Sequence, residues 1–356
     1  MSPNPKDLVK TAFYYGGYYW LQEKLSRPKN KRLLMQMFHN VVSDEDKGRH
    51  WYNIDPPCAA ELEAVIVALK KRFRILTVAE ALTEIKHLGD LREPTAALTF
   101  DDGYRSNFEI AFPILKRHGI KATIYLPTDW IDGKMRLWWT DLTLRIDRCE
   151  LTGEKITAIE RLLEIKLRGT RRAAPNTPAG KERFHEDLGN CLMRMADNAR
   201  TTLLAQIYRV LGDGEAPPAT EPPLSWEQIK EMAAYGIEFG AHTCSHPNLS
   251  YLDLAAAEQE IVESRRVIEK RLGTKVTGFA YPYGYDVEGY RRFAEILKKH
   301  HFLYAATSWW GYVDKDSDLF LLRRMMLPLS TSQPLLSRSL GQEYCRRRWP
   351  VPDPAQ

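Results

Sequence analysis

The chain has 356 residues, 44% of them hydrophobic and 27% charged, with a formal net charge of +5. That length allows one large domain or two small ones, the composition excludes long-range disorder, and so mild a charge permits an anionic partner without calling for nucleic acid. Five scattered cysteines with no CxxC pair exclude a disulfide framework or a zinc knuckle and fit a reducing compartment.

Residues 1–31 form an aromatic segment, expected to be helical. Its uncharged run from Thr11 to Gln22 is too short to span a bilayer, which takes roughly twenty residues. It also lacks a small-residue cleavage site after a clean apolar core, so it is a poor signal peptide. Packing on the domain and lying at a membrane surface, where Tyr and Trp are comfortable, are both open. The expected location is cytoplasmic, with the inner face of the membrane as the variant.

Leu33–Phe38 reads as a buried strand, Cys58–Phe73 and Thr77–Leu88 as amphipathic helices, and Ala97–Phe100 as a strand. A helix follows over Asn107–His118, stopped by Gly119, and then a strand over Ala122–Leu126. The alternation breaks over residues 137–223. That stretch is helix-like, carries Arg161, Lys166, Arg168, Arg171 and Arg172, and ends in the linker-like APPATEPPL. It reads as an insertion that caps the site, or else as a decoration with no role in binding. Alternation resumes with helices Trp226–Tyr235, Leu254–Leu272 and Glu288–His300, and strands Ile237–Ala241, Val276–Tyr281 and Leu303–Ser308. Strands alternating with helices imply a parallel sheet, open or closed into a barrel. Residues 331–356 read as a proline-bearing, poorly ordered tail.

Three strand ends carry chemistry. LTFDDGY places Asp101 and Asp102 where reactive groups collect in parallel α/β folds, and adjacent residues leaving a strand point apart, so one can bind a metal while the other handles a proton. A plain turn or helix cap is the bland alternative. His242-Thr-Cys-Ser-His246 follows another strand, and histidines four apart can share one face of a helical turn or simply stand in a loop. Two imidazoles and a carboxylate make a catalytic metal set with a position open for water. FAYPYGYD supplies Pro282 and Gly284 for a tight turn that can aim a backbone N–H at an oxyanion.

Taken together, these motifs resemble the polysaccharide deacetylases, the carbohydrate esterases with a NodB-homology domain. TFDDGY matches that family's first motif, HTCSH its second, and YPYG resembles its third. LLMQMFHNVV resembles the family's first strand, ending here in His39, and AFPILKRHGIKATIYLP the helix and strand after the first motif. The resemblance covers residues 32–136 and 224–330.

The resemblance implies a distorted (β/α) barrel of about seven strands with the metal at its C-terminal mouth, interrupted here by the helical insertion. It implies Asp102, His242 and His246 as metal ligands, Asp101 as general base and the backbone N–H of Tyr283 as oxyanion donor. Zn²⁺ is the first candidate metal, and the same donors also accept Co²⁺, Ni²⁺ or Fe²⁺. Thr243 is expected to hold the turn by a local hydrogen bond. His39, Tyr104, Pro282, Trp309 and Trp310 are candidate substrate-binding residues, the indoles as stacking surfaces for a sugar. Trp138 and Trp139 carry the same choice between sugar contact and core.

Two departures stand out. The arginine that many members carry two residues before the motif-three proline is Ala280 here, and the late strand FLLRRMMLPLS has no histidine to act as acid. Arg323 or Arg324 is left to contact Asp101 or substrate, and the proton for the leaving amine falls to protonated Asp101, with His39 second. The implied function is removal of N-acetyl or another small acyl group from an amino sugar in a cell-surface glycan pathway, on a lipid- or nucleotide-linked precursor or on polymer. Deformylation, O-acyl ester cleavage and metal-retaining glycan binding without catalysis stay open.

Overall fold

The computed structural model describes residues 31–48, 56–167, 170, 174–212, 221–327, 329–332 and 336. The expectations for the aromatic N-terminus, for nearly all of the tail and for most of the proline linker fall outside these residues.

Eight strands form one sheet: β1 (Leu33–Phe38), β2 (Arg74–Ile75), β3 (Thr95–Phe100), β4 (Thr123–Leu126), β5 (Glu238–Ala241), β6 (Gly278–Ala280), β7 (Tyr304–Trp310) and β8 (Leu322–Arg324). Seven of them run in the order β1-β3-β4-β5-β6-β7-β8, with β2 paired to the start of β3. Every strand pair is parallel. β1 and β3 are buried at every position, as strands covered on both faces must be. The ends meet where Met325 N–H donates to Met35 C=O and Met37 N–H to Met325 C=O, each at 2.8 Å. The result is the nearly closed parallel (β/α) barrel expected from the motifs.

The helices between β1 and β4 are α1 (Ala59–Lys70), α2 (Val78–Leu88) and α3 (Phe112–His118). Thr77 and Glu80 form a capping box on α2, and Gly89 ends it at φ 76°. Val78, Ala81 and Leu82 of α2 share a core with Leu33, Met35 and Ala97, so α2 plugs the N-terminal end of the barrel. Higher up, the interior is filled by Tyr125 and Tyr304. Glycines make room for them: a Cβ on Gly240 would lie 2.5 Å from the Tyr125 ring, and one on Gly278 2.3 Å from the Tyr304 hydroxyl. The Tyr125 hydroxyl donates to Tyr304 (3.1 Å), and that of Tyr304 to Glu238 (2.8 Å), so neither buried phenol is left unpaired.

Two expected helices differ in detail. Asn107–His118 begins as a π-helical turn over Asn107–Ala111 before α3. Pro113 has no N–H, and its ring would crowd the carbonyl four residues back, so the wider turn relieves both. Glu288–His300 is split into α11 (Val287–Tyr290), a 3-10 turn and α12 (Ala294–Lys299). Arg292 in that turn donates to the carbonyls of Leu249, Ser250 and Leu252, tying it to the loop after β5.

Between β4 and β5 lie α4 (Thr128–Ile131), α5 (Trp138–Arg148), α6 (Gly153–Leu163), α7 (Pro178–Leu192), α8 (Asp197–Leu211) and α9 (Trp226–Tyr235). Helices α5 to α8 bury a core of their own, including Leu142, Ile146, Ile159, Phe184, Leu188 and Ile207. The remaining barrel helix is α10 (Leu254–Leu272). Among the described residues no helix is long and apolar enough to cross a membrane.

Candidate active site

Asp101 still pairs through its amide with Phe38 C=O (2.9 Å), so it continues β3. Asp102 then turns to φ 71° and Gly103 to φ 64°. Two consecutive left-handed residues send the two carboxylates apart, as the sequence predicts. A Cβ at Gly103 would stand 2.6 Å from Leu126 Cδ2, so glycine alone fits this turn.

The Asp101 carboxylate meets Arg324. Strand alternation on β8 turns Leu322 and Arg324 inward and Arg323 outward, where its guanidinium lies 4.8 Å from the Trp309 ring. Arg324 Nη1 and Nη2 donate to the two oxygens of Asp101, each at 2.7 Å, and Nε donates to Thr307 C=O at 2.8 Å. Burial pushes the Asp101 carboxyl up, but the guanidinium charge and its hydrogen bonds outweigh this and hold it well below the usual carboxylate range. Ala280, the position that lacks the family arginine, is fully buried in the barrel interior. The guanidinium therefore arrives from β8 instead of β6.

His242 and His246 do not share a helical turn. Their loop is non-helical, with Thr243 at φ 66° and His246 at φ 54°. Side chains and a neighbouring helix end satisfy its backbone instead. Glu260 of α10 accepts from the amides of Cys244 (2.8 Å) and Ser245 (2.9 Å), while the first amides of α4 donate to Thr243 and Cys244 carbonyls (3.2 and 2.9 Å). Thr243 Oγ1 accepts from the His246 amide at 3.1 Å and donates to His242 C=O, the local turn bond expected of it.

Both imidazoles face Asp102. Their Nε2 atoms lie 3.6 Å (His242) and 3.4 Å (His246) from Asp102 Oδ1, and this buried oxygen has no hydrogen-bond partner. His242 Nδ1–H donates to Ala280 C=O at 2.7 Å, which leaves Nε2 with its lone pair toward Asp102. Burial pushes His242 down to about 4, and His246 also falls well below the ordinary value, so both rings are neutral near pH 7. A carboxylate oxygen without a donor, facing two neutral imidazoles with all three ligand atoms within 4.8 Å, suits a divalent cation. Without one, burial and the charge of Asp101 push Asp102 up.

These groups line a cavity of about 120 Å³ at the C-terminal ends of the strands. Of the expected site residues, His39, Asp101, Asp102, Tyr104, His242, His246 and Tyr283 line it together. Pro282, Trp309 and Trp310 are not among its lining residues. Pro282 C=O accepts from Gly284 N–H (2.7 Å), and both tryptophans are half-buried against the barrel core. Sequence reasoning did not pick out Met193, His185 and Glu221, which also line the cavity. All three lie in the 137–223 segment, and only a motif-like spacing could have marked them. Trp138 and Trp139 line it too, so this segment reaches the site.

The family profile described as polysaccharide deacetylase matches residues 89–160 and 192–305, just over half the chain. The chain belongs to the polysaccharide deacetylase family. A Bacillus subtilis relative described as the putative polysaccharide deacetylase YxkH is 21% identical over 253 residues, 71% of this chain, and the match spans only 58% of that protein's length. The Streptococcus pyogenes deacetylase PplD, solved in complex with acetate, superposes with a TM-score of 0.56 at 16% identity, over 89% of this chain and 99% of its own. A de-N-acetylase from Aggregatibacter actinomycetemcomitans superposes with a TM-score of 0.53 at 14% identity, over 87% of this chain and 100% of its own.

Proposed function

We propose that this protein is a metal-dependent hydrolase that removes a small acyl group, N-acetyl first, from an amino sugar of a glycan. The observation that carries this reading is the convergence of the unpaired Asp102 oxygen and two neutral imidazoles at the floor of a cavity that also holds Asp101. Membership of the polysaccharide deacetylase family and the names of the de-N-acetylase and of the acetate-bound deacetylase support the reaction class.

In this reading Asp102, His242 and His246 hold the metal, Zn²⁺ first. The cation supplies Lewis acidity, which lowers the pKa of a water and polarises the acyl carbonyl. Asp101, kept ionised and oriented by Arg324, takes the proton of the attacking water. The backbone N–H of Tyr283 donates to the oxygen on which negative charge develops. The leaving amine then needs a proton. Asp101 can return the one it took, since a carboxyl held this far below the usual range gives up its proton readily. His39 is the second donor: it lines the cavity and feels the charges of Asp101 and Arg324, with burial pushing it down. Of the features that suggested a precursor substrate, the aromatic N-terminus and Arg168, Arg171 and Arg172 fall outside the described residues, and Lys166 is paired with Glu160 at 3.3 Å. The substrate is therefore put no finer than an acylated amino sugar.

The test is elemental analysis of wild type beside His246→Ala, followed by assays of acetate and formate release from acylated amino sugars and their oligomers. About one transition metal per chain, lost in the variant, with acid released only by the loaded wild type, is the expected result. No metal in wild type after zinc addition would overturn the reading. Which acid is released separates deacetylation from deformylation.

A further inference from the structure

Tyr283 sits at φ 63° between Pro282 and Gly284, and Gly284 N–H donates back to Pro282 C=O at 2.7 Å. That is a γ-turn with positive φ at a bulky residue, a rare and strained conformation. Such a conformation persists only where its surroundings over-determine it. On the barrel side, Gly284 is pressed against β7: Ser308 N–H donates to Gly284 C=O at 3.0 Å, and a Cβ on Gly284 would lie 2.3 Å from Ser308 Oγ. On the other side, the Tyr283 ring is held by the helices between β4 and β5. Trp138 Nε1–H donates to the Tyr283 hydroxyl at 3.0 Å. The Arg200 guanidinium of α8 lies 5.4 Å from the Trp138 ring and 5.8 Å from the Tyr283 ring, within cation–π range of both. Arg200 is only 5% exposed, so this contact is desolvated.

The next residue does the same for the first motif. Trp139 Nε1–H donates to the Tyr104 hydroxyl at 3.0 Å, and its ring lies edge-on to His246 at 4.9 Å. Two adjacent indoles at the start of α5 thus tie helices α5 to α8 to the Tyr of motif one and the Tyr of motif three. A mere decoration needs neither bond.

We propose that helices α5 to α8 are a working part of the site, and that Trp138, braced by Arg200, is a positioning residue that holds the strained turn at Tyr283. The proposal rests on the reading of the Tyr283 N–H as oxyanion donor only for its effect on rate; the clamp itself is a statement about the turn.

Trp138→Phe keeps an aromatic ring and removes the donor, and Tyr283→Phe removes the acceptor. Both variants and their double are compared with wild type for metal content, unfolding midpoint, kcat and KM for acyl release, and amide hydrogen exchange of a peptide covering residues 281–286. The expected result is exchange about tenfold faster in Trp138→Phe, with metal content and midpoint unchanged, since local opening reports the stability of that turn. With turnover, kcat falls about tenfold and KM little, and the double is no worse than either single because both remove one bond. Unchanged exchange in Trp138→Phe overturns the clamp, as do losses that multiply in the double or a fall in metal content that parallels the fall in kcat. A wild type that releases no acid from any acylated sugar fails the functional reading alone, and the exchange result still decides the clamp.

Discussion

Arg324 and Asp101, 223 residues apart in the chain, meet through both terminal guanidinium nitrogens and both carboxylate oxygens at 2.7 Å each. Closure of the barrel between β8 and β1 makes this contact: β3 lies one strand beyond β1, so the last strand can reach across to the first motif. A fork of this kind fixes the plane of the carboxylate as well as its charge.

Arg324→Lys keeps the charge and loses the fork. The expected outcome is a kcat lowered by roughly two orders of magnitude with a smaller change in KM, because a misoriented base is felt in the transition state. The acid limb of the pH–rate profile should also move. In wild type, Arg324 outweighs the burial that pushes Asp101 up, so the base stays ionised far into acid. With a weaker partner its pKa rises, and activity is lost at a higher pH as the solution is acidified. Rate profiles of both proteins over the same pH range check the shift, and coincident acid limbs would contradict it. Arg324→Met should go further and cost about 3–5 kcal/mol of stability in urea, since it leaves a buried carboxylate unpaired.

The first motif and the fold were legible because LTFDDGY couples a buried strand to two carboxylates and a glycine, and each of these has its own local signature. The parallel order followed from alternating periodicity alone. Arg324 was only half legible. Composition put two arginines side by side, and the inward parity of Leu322 was the signal that could have chosen between them. The spacing of His242 and His246 allowed a helical turn or a loop and could not choose the loop, because spacing says nothing of Glu260, whose carboxylate holds it from a helix that begins eight residues after His246. Trp138 and Trp139 were seen but could not be placed, since what they bind lies 145 and 35 residues away in sequence, respectively.

Glu260→Ala removes that carboxylate while leaving every proposed ligand atom in place. The amides of Cys244 and Ser245 and the Ser245 hydroxyl lose their shared acceptor. Groups that orient metal ligands from behind typically carry 10- to 100-fold in metal affinity. Zinc affinity measured by competition with a chelator should fall by about that much, with the fold retained by circular dichroism. Equal affinity in both proteins would show that the loop holds its shape without Glu260.

Gly278→Ala tests the packing of the barrel interior. The new methyl would stand 2.3 Å from the Tyr304 hydroxyl and 2.4 Å from its ring carbon, with a buried tyrosine pair and Glu238 behind them. Overpacking of this kind costs typically about 1–3 kcal/mol, and here it also threatens the Tyr304–Glu238 bond. The urea midpoint should drop accordingly, whereas Gly133→Ala, where a Cβ meets nothing within 4 Å, should cost only the strain of its φ of 70°.

His185 makes stability depend on pH from within the helices between β4 and β5. It is 2% exposed, and burial pushes it down to about 4 from an ordinary 6.5. Thr143 donates its single hydroxyl proton to Trp139 C=O at 2.8 Å, so at the 2.8 Å contact with His185 the ring Nε2–H is the donor. As pH falls below about 6.5 the unfolded chain takes up a proton at this residue and the folded one does not, so stability declines with pH until the folded pKa near 4 is passed. The contribution is present in full above the unfolded pKa, and its loss amounts to about 3 kcal/mol across that window. Other carboxylates and histidines titrate in the same range, so the informative quantity is the difference between wild type and His185→Gln, whose amide can still donate to Thr143. Urea unfolding of the two proteins from pH 7.5 to 4.5 should show the gap moving in favour of the variant as the solution is acidified. A gap that stays constant over that range would place the titration of His185 elsewhere than its buried position demands.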